Sequence, residues 1–281
     1  LSQGNRQATM IRLDAKAIHE SLCETTSRRL AEFEVFAEIG STNSYLMRRE
    51  GPVPGQANVA LTDNQTQGRG RHGRTWQSPP GSGLCMSVAY TFASQPANLP
   101  ALTLAIGLGA IKALADLGIA GVQLKWPNDL VANDGKLGGI LTETQPRKSG
   151  AITVVTGMGI NVELDEEVDI AGEWSRQVVD LSRVVDRIPP RDEMAARIVD
   201  ALCATFINYE EHGFGAYARE WREHDWLYGR TVTIDAAEGE VSGVGAGVAE
   251  DGALLVDTGS EALMRITSGS VRTAATRGDA A

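Results

Sequence analysis

Gly68-Arg69-Gly70-Arg71-His72-Gly73 has the glycine spacing of a dinucleotide-binding turn. In such a turn the glycines open a helix directly behind a strand, so the pyrophosphate meets the helix N-terminus. Here the chain continues Thr75-Trp76-Gln77-Ser78-Pro79-Pro80-Gly81, and two adjacent prolines cannot form the body of that helix. No Gly-Lys-Ser/Thr follows the loop either, which removes a Walker-type phosphate site. A doubly wound dehydrogenase fold is therefore excluded. What remains is a glycine loop with three arginines, which reads as a mobile segment. Glycine lets the backbone approach a ligand closely, and arginine offers forked donors to phosphate oxygens. Taken alone, the same run also suits a solvated arginine loop or an RNA contact.

Charge placement narrows these readings. The chain has 26 Lys and Arg against 36 Asp and Glu, a net charge of -10. That balance speaks against a general binder of nucleic acid or anionic membrane, because such binding runs on Lys and Arg. Yet the 52 residues from Asn64 to Ala115 contain no acid, where 36 in 281 would give about seven. The same stretch holds Arg69, Arg71, Arg74 and Lys112. A protein that clears carboxylates from one region can hold an anion there. Cys23, Cys85 and Cys203 are an odd, scattered set, unsuited to a disulfide framework or zinc site. None of the four histidines has a second ligand type at metal spacing, so no resident metal is expected. No run of eighteen uncharged apolar residues occurs, and the start lacks a signal-peptide core, so a cytoplasmic protein is expected.

The element pattern is mixed. Asp14 is placed to cap a helix running to about Phe33, and Phe33 to Ile39 reads as a strand. Ser41 or Thr42 caps a short helix that ends before Gly51. Strands are expected over Asn58–Thr62 and Leu84–Phe92, then a helix bracketed by Pro100 and Gly118. Val122–Lys125, Leu130–Ala132, Leu137–Thr142 and Ala151–Val162 continue the sheet, with Asp134-Gly135 as a hairpin turn. Glu163, Asp165, Glu166, Glu167, Asp169 and Glu173 read as a solvated acidic loop. A helix over about Asp192–Glu211 stops at Gly213. Beyond Trp226 the texture turns to short strands and glycines, with Asp251-Gly252 as a tight turn. The expected division is an N-terminal tail and helix (1–34), a main α+β domain (35–225), a small β-barrel (226–275) and a tail (276–281).

Four further motifs are ambiguous when isolated. Lys125-Trp126-Pro127-Asn128-Asp129 puts a fixed cation at the end of an apolar strand, or simply a surface lysine beside a packed tryptophan. Gly135-Lys136-Leu137-Gly138-Gly139-Ile140-Leu141 and Gly157-Met158-Gly159-Ile160-Asn161-Val162 place glycines inside strands. Such glycines weaken a strand unless something lies against its backbone, a bulge being the plain alternative. Ser41-Thr42-Asn43 needs no role beyond a helix cap.

Taken in order, however, these blocks, with Gln65-Thr66-Gln67 leading into the loop and Thr75-Trp76 closing it, resemble the signature blocks of biotin–protein ligases. The resemblance is strong over Phe33 to Val162 and looser beyond. It implies an α+β fold like the class II aminoacyl-tRNA synthetases, a mixed sheet with helices, followed by a C-terminal SH3-like β-barrel. It also implies two half-reactions. Biotin and ATP, with Mg²⁺, give biotinyl-5′-AMP; the adenylate then acylates a lysine of the biotin carboxyl carrier protein of acetyl-CoA carboxylase. Matching positions assign Ser41, Thr42, Asn43 and Gln65 to the biotin ureido head, with Arg69 and Gly70 touching it from the loop. Gly138 and Gly139 would let biotin lie against strand backbone. Lys125 would bridge the carboxylate and α-phosphate, while Arg71 and Arg74 close over the phosphates. Asn161, Trp174 and Arg272 would lie near the nucleotide.

Bifunctional members carry an N-terminal winged helix that represses the biotin operon. The Ser41 block starts too early to leave room for one, so a ligase without repressor activity and without nucleic-acid binding is expected. No exposed stripe selects a dimer surface, and a homodimer stays open. A lipoate or octanoate ligase shares the fold but lacks this arginine–glycine run joined to Lys-Trp-Pro-Asn. An RNA-binding module would be sensitive to salt and indifferent to biotin.

Overall fold

The computed structural model describes residues 12–164, 178–236 and 239–273. Asp14 caps α1 (Ala15–Ser21), accepting hydrogen bonds from the Lys16 and Ala17 amides. The helix stops far short of Phe33. Leu22 and Cys23 both turn extended, α2 (Glu24–Ser27) makes one turn, and β1 (Leu30–Phe36) begins where helix was expected. The reason is tertiary: the Cys23 amide bonds the Asp200 carboxylate, and β1 is drawn into parallel pairing with β2 (Ala57–Thr62). Between these strands lies α3 (Thr42–Met47).

β3 (Gly83–Phe92) follows the glycine loop, and α4 (Leu102–Asp116) is entered through a 3-10 turn containing Pro100 and left at Gly118, whose φ is +83°. β4 (Gln123–Lys125), β5 (Asp129–Ala132), β6 (Gly135–Pro146) and β7 (Ile152–Asn161) are each paired antiparallel to the next. The sheet order is β1-β2-β3-β7-β6-β5-β4. α4 and α5 (Arg191–His212) pack on one face, and α3 covers part of the other. The helical stretch Leu99–Asp116, the 3-10 turn together with α4, is long and apolar enough to cross a membrane, but most of it is buried in the core. α5 ends at Gly213, which takes φ +61°.

β3 explains how the layers form. Leu84, Met86, Val88, Tyr90 and Phe92 alternate with Cys85, Ser87, Ala89 and Thr91, and all are buried. Successive side chains face opposite ways along a strand. The large set joins the helix-packed core, where Tyr90 stacks on Phe206 at 5.2 Å between ring centroids. The small set faces α3.

α6 (Ala218–His224), which no sequence signal marked, leads into a second sheet. β8 (Thr231–Ala236), β9 (Gly239–Val248), β10 (Leu254–Asp257), β11 (Met264–Ile266) and β12 (Ser270–Thr273) form it in the order β11-β10-β9-β8-β12, all antiparallel. This is the SH3-like element of an α+β protein. The Asp251-Gly252 turn is present, with Gly252 at φ +85°. That turn also fastens the small sheet to the large one, because Trp126 Nε1 donates to the Gly252 carbonyl at 2.9 Å.

Candidate functional site

On the α3 side, the register brings small residues opposite one another: Ser87 faces Gly157, and Cys85 and Gly139 both flank Gly159. A sheet face without side chains is a hollow, and here it forms the floor of a cavity of about 400 Å³. Trp76 fills part of it. A Cβ on Gly159 would stand 2.4 Å from the Trp76 indole, and one on Gly139 would stand 3.4 Å from it. Gly159 is therefore a close-approach position and Gly139 stands in ordinary contact, while β6 does carry a bulge beside Gly138, where Leu130 and Val131 pair with Gly138 and Lys136.

The N-terminus of α3 makes the second wall. Ser41 caps the helix by accepting from the Ser44 amide. Gln65 Oε1 accepts from the Thr42 amide at 2.9 Å, and the Thr42 and Ser87 hydroxyls share a hydrogen bond of 2.7 Å. Asn43 Nδ2 donates to Glu143 at 2.8 Å and to the Leu141 carbonyl at 3.3 Å. Asn43 Oδ1 lies against Gly157, where a Cβ would come within 2.7 Å of it. Polar groups buried in this number suit a ligand that both donates and accepts.

The glycine loop folds back on itself as a small hairpin. The Trp76 amide donates to the Gly68 carbonyl at 2.9 Å, Arg69 bridges Thr75, and the Gly70 amide donates to Arg74 at 2.7 Å. The tip needs left-handed backbone, at His72 (φ 54°) and Gly73 (φ 73°). Its three arginines spread to three walls. Arg69 pairs with Glu143 on β6 at 2.7 Å. Arg71 reaches Asn128 at 3.4 Å, and Arg74 reaches Ser270 of the small sheet at 3.2 Å. Burial lowers the Arg71 pKa, Asp129 opposes this and Arg74 adds to it. A guanidinium poorly served by water is a ready partner for an incoming anion.

Lys125 ends β4 and is buried, with Nζ 5.8 Å from the Trp226 ring centroid. The Trp126–Pro127 bond is cis. Asn128 Nδ2 donates to the Ile140 carbonyl at 2.7 Å, which ties this turn to β6. Beside it, Lys136 pairs with Asp129 at 2.7 Å and lies 5.7 Å from the Trp76 ring.

Ser41, Thr42, Asn43, Gln65, Arg69, Gly70, Arg71, Arg74, Lys125 and Gly139 thus converge on one cavity. Three expected residues do not. Gly138 faces the opposite side, where a Cβ would meet the Gly159 carbonyl at 2.7 Å and Leu130 at 3.1 Å. Asn161 donates to the Val179 and Lys136 carbonyls and so fixes the chain beyond the sheet. Arg272 points along the small sheet to Asp235 and Glu240, and its neighbours Gly269, Ser270 and Val271 line the cavity instead. Trp174 and the acids from Asp165 to Glu173 lie outside the described residues.

Trp76, Ser87, Lys136, Glu143 and Ser270 had no assigned role from the sequence. For Glu143 a signal existed: Gly139, Leu141 and Glu143 are spaced by two, so a strand puts all three on one face. Ser270 carried none. Cys85 sits beneath Trp76 beside Ser78 and Gln65, and burial pushes its thiol pKa up, which suits packing rather than nucleophilic attack. Among the described residues no group of three His, Cys, Asp or Glu could hold a metal. The arrangement can bind an anion among fixed cations, next to a wall of buried hydrogen-bonding groups.

Residues 35–161 match the biotin/lipoate A/B protein ligase family, and residues 228–272 match the biotin protein ligase C-terminal domain. The chain is 34% identical over 246 residues to the bifunctional ligase/repressor BirA of Salmonella typhimurium, covering 87% of this chain and 73% of that protein. It is 31% identical over 267 residues to the biotin–[acetyl-CoA-carboxylase] ligase of Mycobacterium tuberculosis, covering 92% and 95%. The biotin protein ligase of Aquifex aeolicus, solved with biotin and ATP, superposes with a TM-score of 0.72 at 26% identity, covering 88% of this chain and all of that one. The chain therefore belongs to the biotin protein ligase family.

Proposed function

We propose that this protein is an ATP-dependent ligase of the cytoplasm that joins biotin to AMP and then passes biotin to a lysine of the biotin carboxyl carrier protein of acetyl-CoA carboxylase. The observation that carries the reading is the convergence of buried Lys125 and half-buried Arg71 on a glycine-floored cavity whose far end is set with buried hydrogen-bonding groups. The ureido ring lies at the Ser41, Thr42, Asn43, Gln65 end, and the acyl chain runs along the cavity toward Lys125.

Biotin's carboxylate is ionised at neutral pH and needs no base before it attacks the α-phosphorus. The obstacle is to bring two anions together and to hold the charge that builds up. Lys125, standing between carboxylate and α-phosphate, lowers both barriers, and such preorganised charge is commonly the largest catalytic contribution. Pyrophosphate leaves, and the mixed anhydride stays under the hairpin, with Arg71 and Arg74 limiting access of water. Mg²⁺ comes with ATP, held mainly by phosphate oxygens. In the second step the acceptor lysine's neutral amine attacks the acyl carbon and AMP leaves. ATP–pyrophosphate exchange tests the reading: exchange should depend on biotin and fail with lipoate or octanoate. Exchange indifferent to biotin in folded protein would overturn it.

A further inference from the structure

We propose that Glu143 is a positioning residue: it holds the Gly68–Trp76 hairpin down on the cavity through Arg69, and it sets the orientation of the Asn43 amide in the wall beneath. Of the hairpin's three arginine ties, those of Arg71 and Arg74 end on single neutral acceptors at 3.4 and 3.2 Å. Arg69 instead makes two contacts to one carboxylate, Nη2 to Oε1 at 2.7 Å and Nη1 to Oε2 at 3.2 Å. Paired, charge-assisted bonds of this kind are the stronger type and fix direction as well as distance. Nη1 also donates to Ser44 Oγ at 3.1 Å, so the guanidinium grips the first turn of α3 too.

The plain alternative is a surface ion pair of little value, since the Arg69 side chain is 45% exposed. Two observations weigh against it. Glu143 is less open at 22%, and its Oε2 also accepts from Asn43, a residue only 4% exposed. With Nδ2 committed to Glu143 and Leu141, the Asn43 amide has one orientation, its oxygen turned onto Gly157. Glu143 therefore joins three separate pieces of the site: hairpin, helix start and floor strand. The hairpin lies in the stretch without acids, so its partner carboxylate has to come from another element.

The test is tryptic cleavage after Arg71 and Arg74 at the hairpin tip, followed by mass spectrometry, in the whole 281-residue chain without ligand. Glu143→Gln keeps an acceptor for Asn43 but loses the charge. Cleavage should quicken about fivefold, the scale of a partly exposed bidentate pair. Arg69→Gln should do the same, and the double variant should be no faster than either single one. Cleavage after Arg197, in the middle of α5, reports general loosening and should stay unchanged. Unchanged cleavage at the tip in Glu143→Gln, multiplied effects in the double variant, or a parallel rise at Arg197 would each overturn the proposal. A second measurement rests on the ligase reading: biotinyl-5′-AMP formed on Glu143→Gln should escape about fivefold faster. Absence of any adenylate would count against that reading alone, because the cleavage result stands without it.

Discussion

Trp76 lies on Gly159 with no room for a carbon atom between them: a Cβ there would come 2.4 Å from Cε2 of the indole and 2.7 Å from Nε1. The contact seats the end of the hairpin on the floor of the cavity, so the backbone of β7 and the position of the loop are one mechanical unit. A methyl at 159 has to push the indole into the space proposed for biotin.

Gly159→Ala is accordingly expected to cost about 1–3 kcal/mol, felt mainly in ligand binding rather than folding. The biotin concentration giving half-maximal ATP–pyrophosphate exchange should rise by at least about fivefold. A melting temperature lowered with exchange unaffected would show that the indole has somewhere else to go.

Lys125→Ala should stay folded and lose adenylate formation by about 10²- to 10³-fold, the usual range for removing one preorganised charge from a reacting centre. Single-turnover formation of biotinyl-5′-AMP measures it directly. Normal turnover would remove Lys125 from the chemistry.

Arg71→Ala is expected to act on retention. The guanidinium is half-buried and bound to Asn128, and its loss should speed release of the adenylate by about tenfold. Release is followed by chasing labelled intermediate with unlabelled biotin and ATP, and an unchanged rate would separate the arginine from any closing role.

Asp225 supplies a pH prediction. It sits where the large sheet meets the small one, pairing as a bridge with Leu124, next to Lys125. Burial raises its pKa from 3.8 to about 6, while hydrogen bonds from Leu227 and others lower it. The folded protein therefore binds this proton more tightly than the unfolded chain does. Its contribution is fully present below about pH 4 and is lost as pH rises through about 6. In melting curves, wild type should lose ground relative to Asp225→Asn across that window. A difference independent of pH would mean that Asp225 titrates normally.

The strand over Leu84–Phe92, a cap at Ser41 or Thr42, the Asp251-Gly252 turn and the ordered run of motifs from Ser41 to Val162 could all be read in the sequence. Each is a rule satisfied within a few neighbouring residues. Glycines at 139, 157 and 159 likewise announced a close approach, though not that Trp76 would make it.

What only the tertiary structure decided is which side chain meets which. Arg69 and Glu143 are 74 residues apart, and Arg74 and Ser270 are 196 apart. Both pairings depend on strand register and on how the small sheet docks, and neither leaves a local pattern. The same holds for two residues that stand outside the cavity lining. Gly138 and Gly139 differ by one residue, yet one step along a strand reverses the face, so only Gly139 reaches the cavity. Arg272 stands two residues from Ser270 but takes its partners, Asp235 and Glu240, from the small sheet itself. The sequence by itself determined the elements and the chemistry available; long-range packing decided which charges hold the hairpin and which face the ligand.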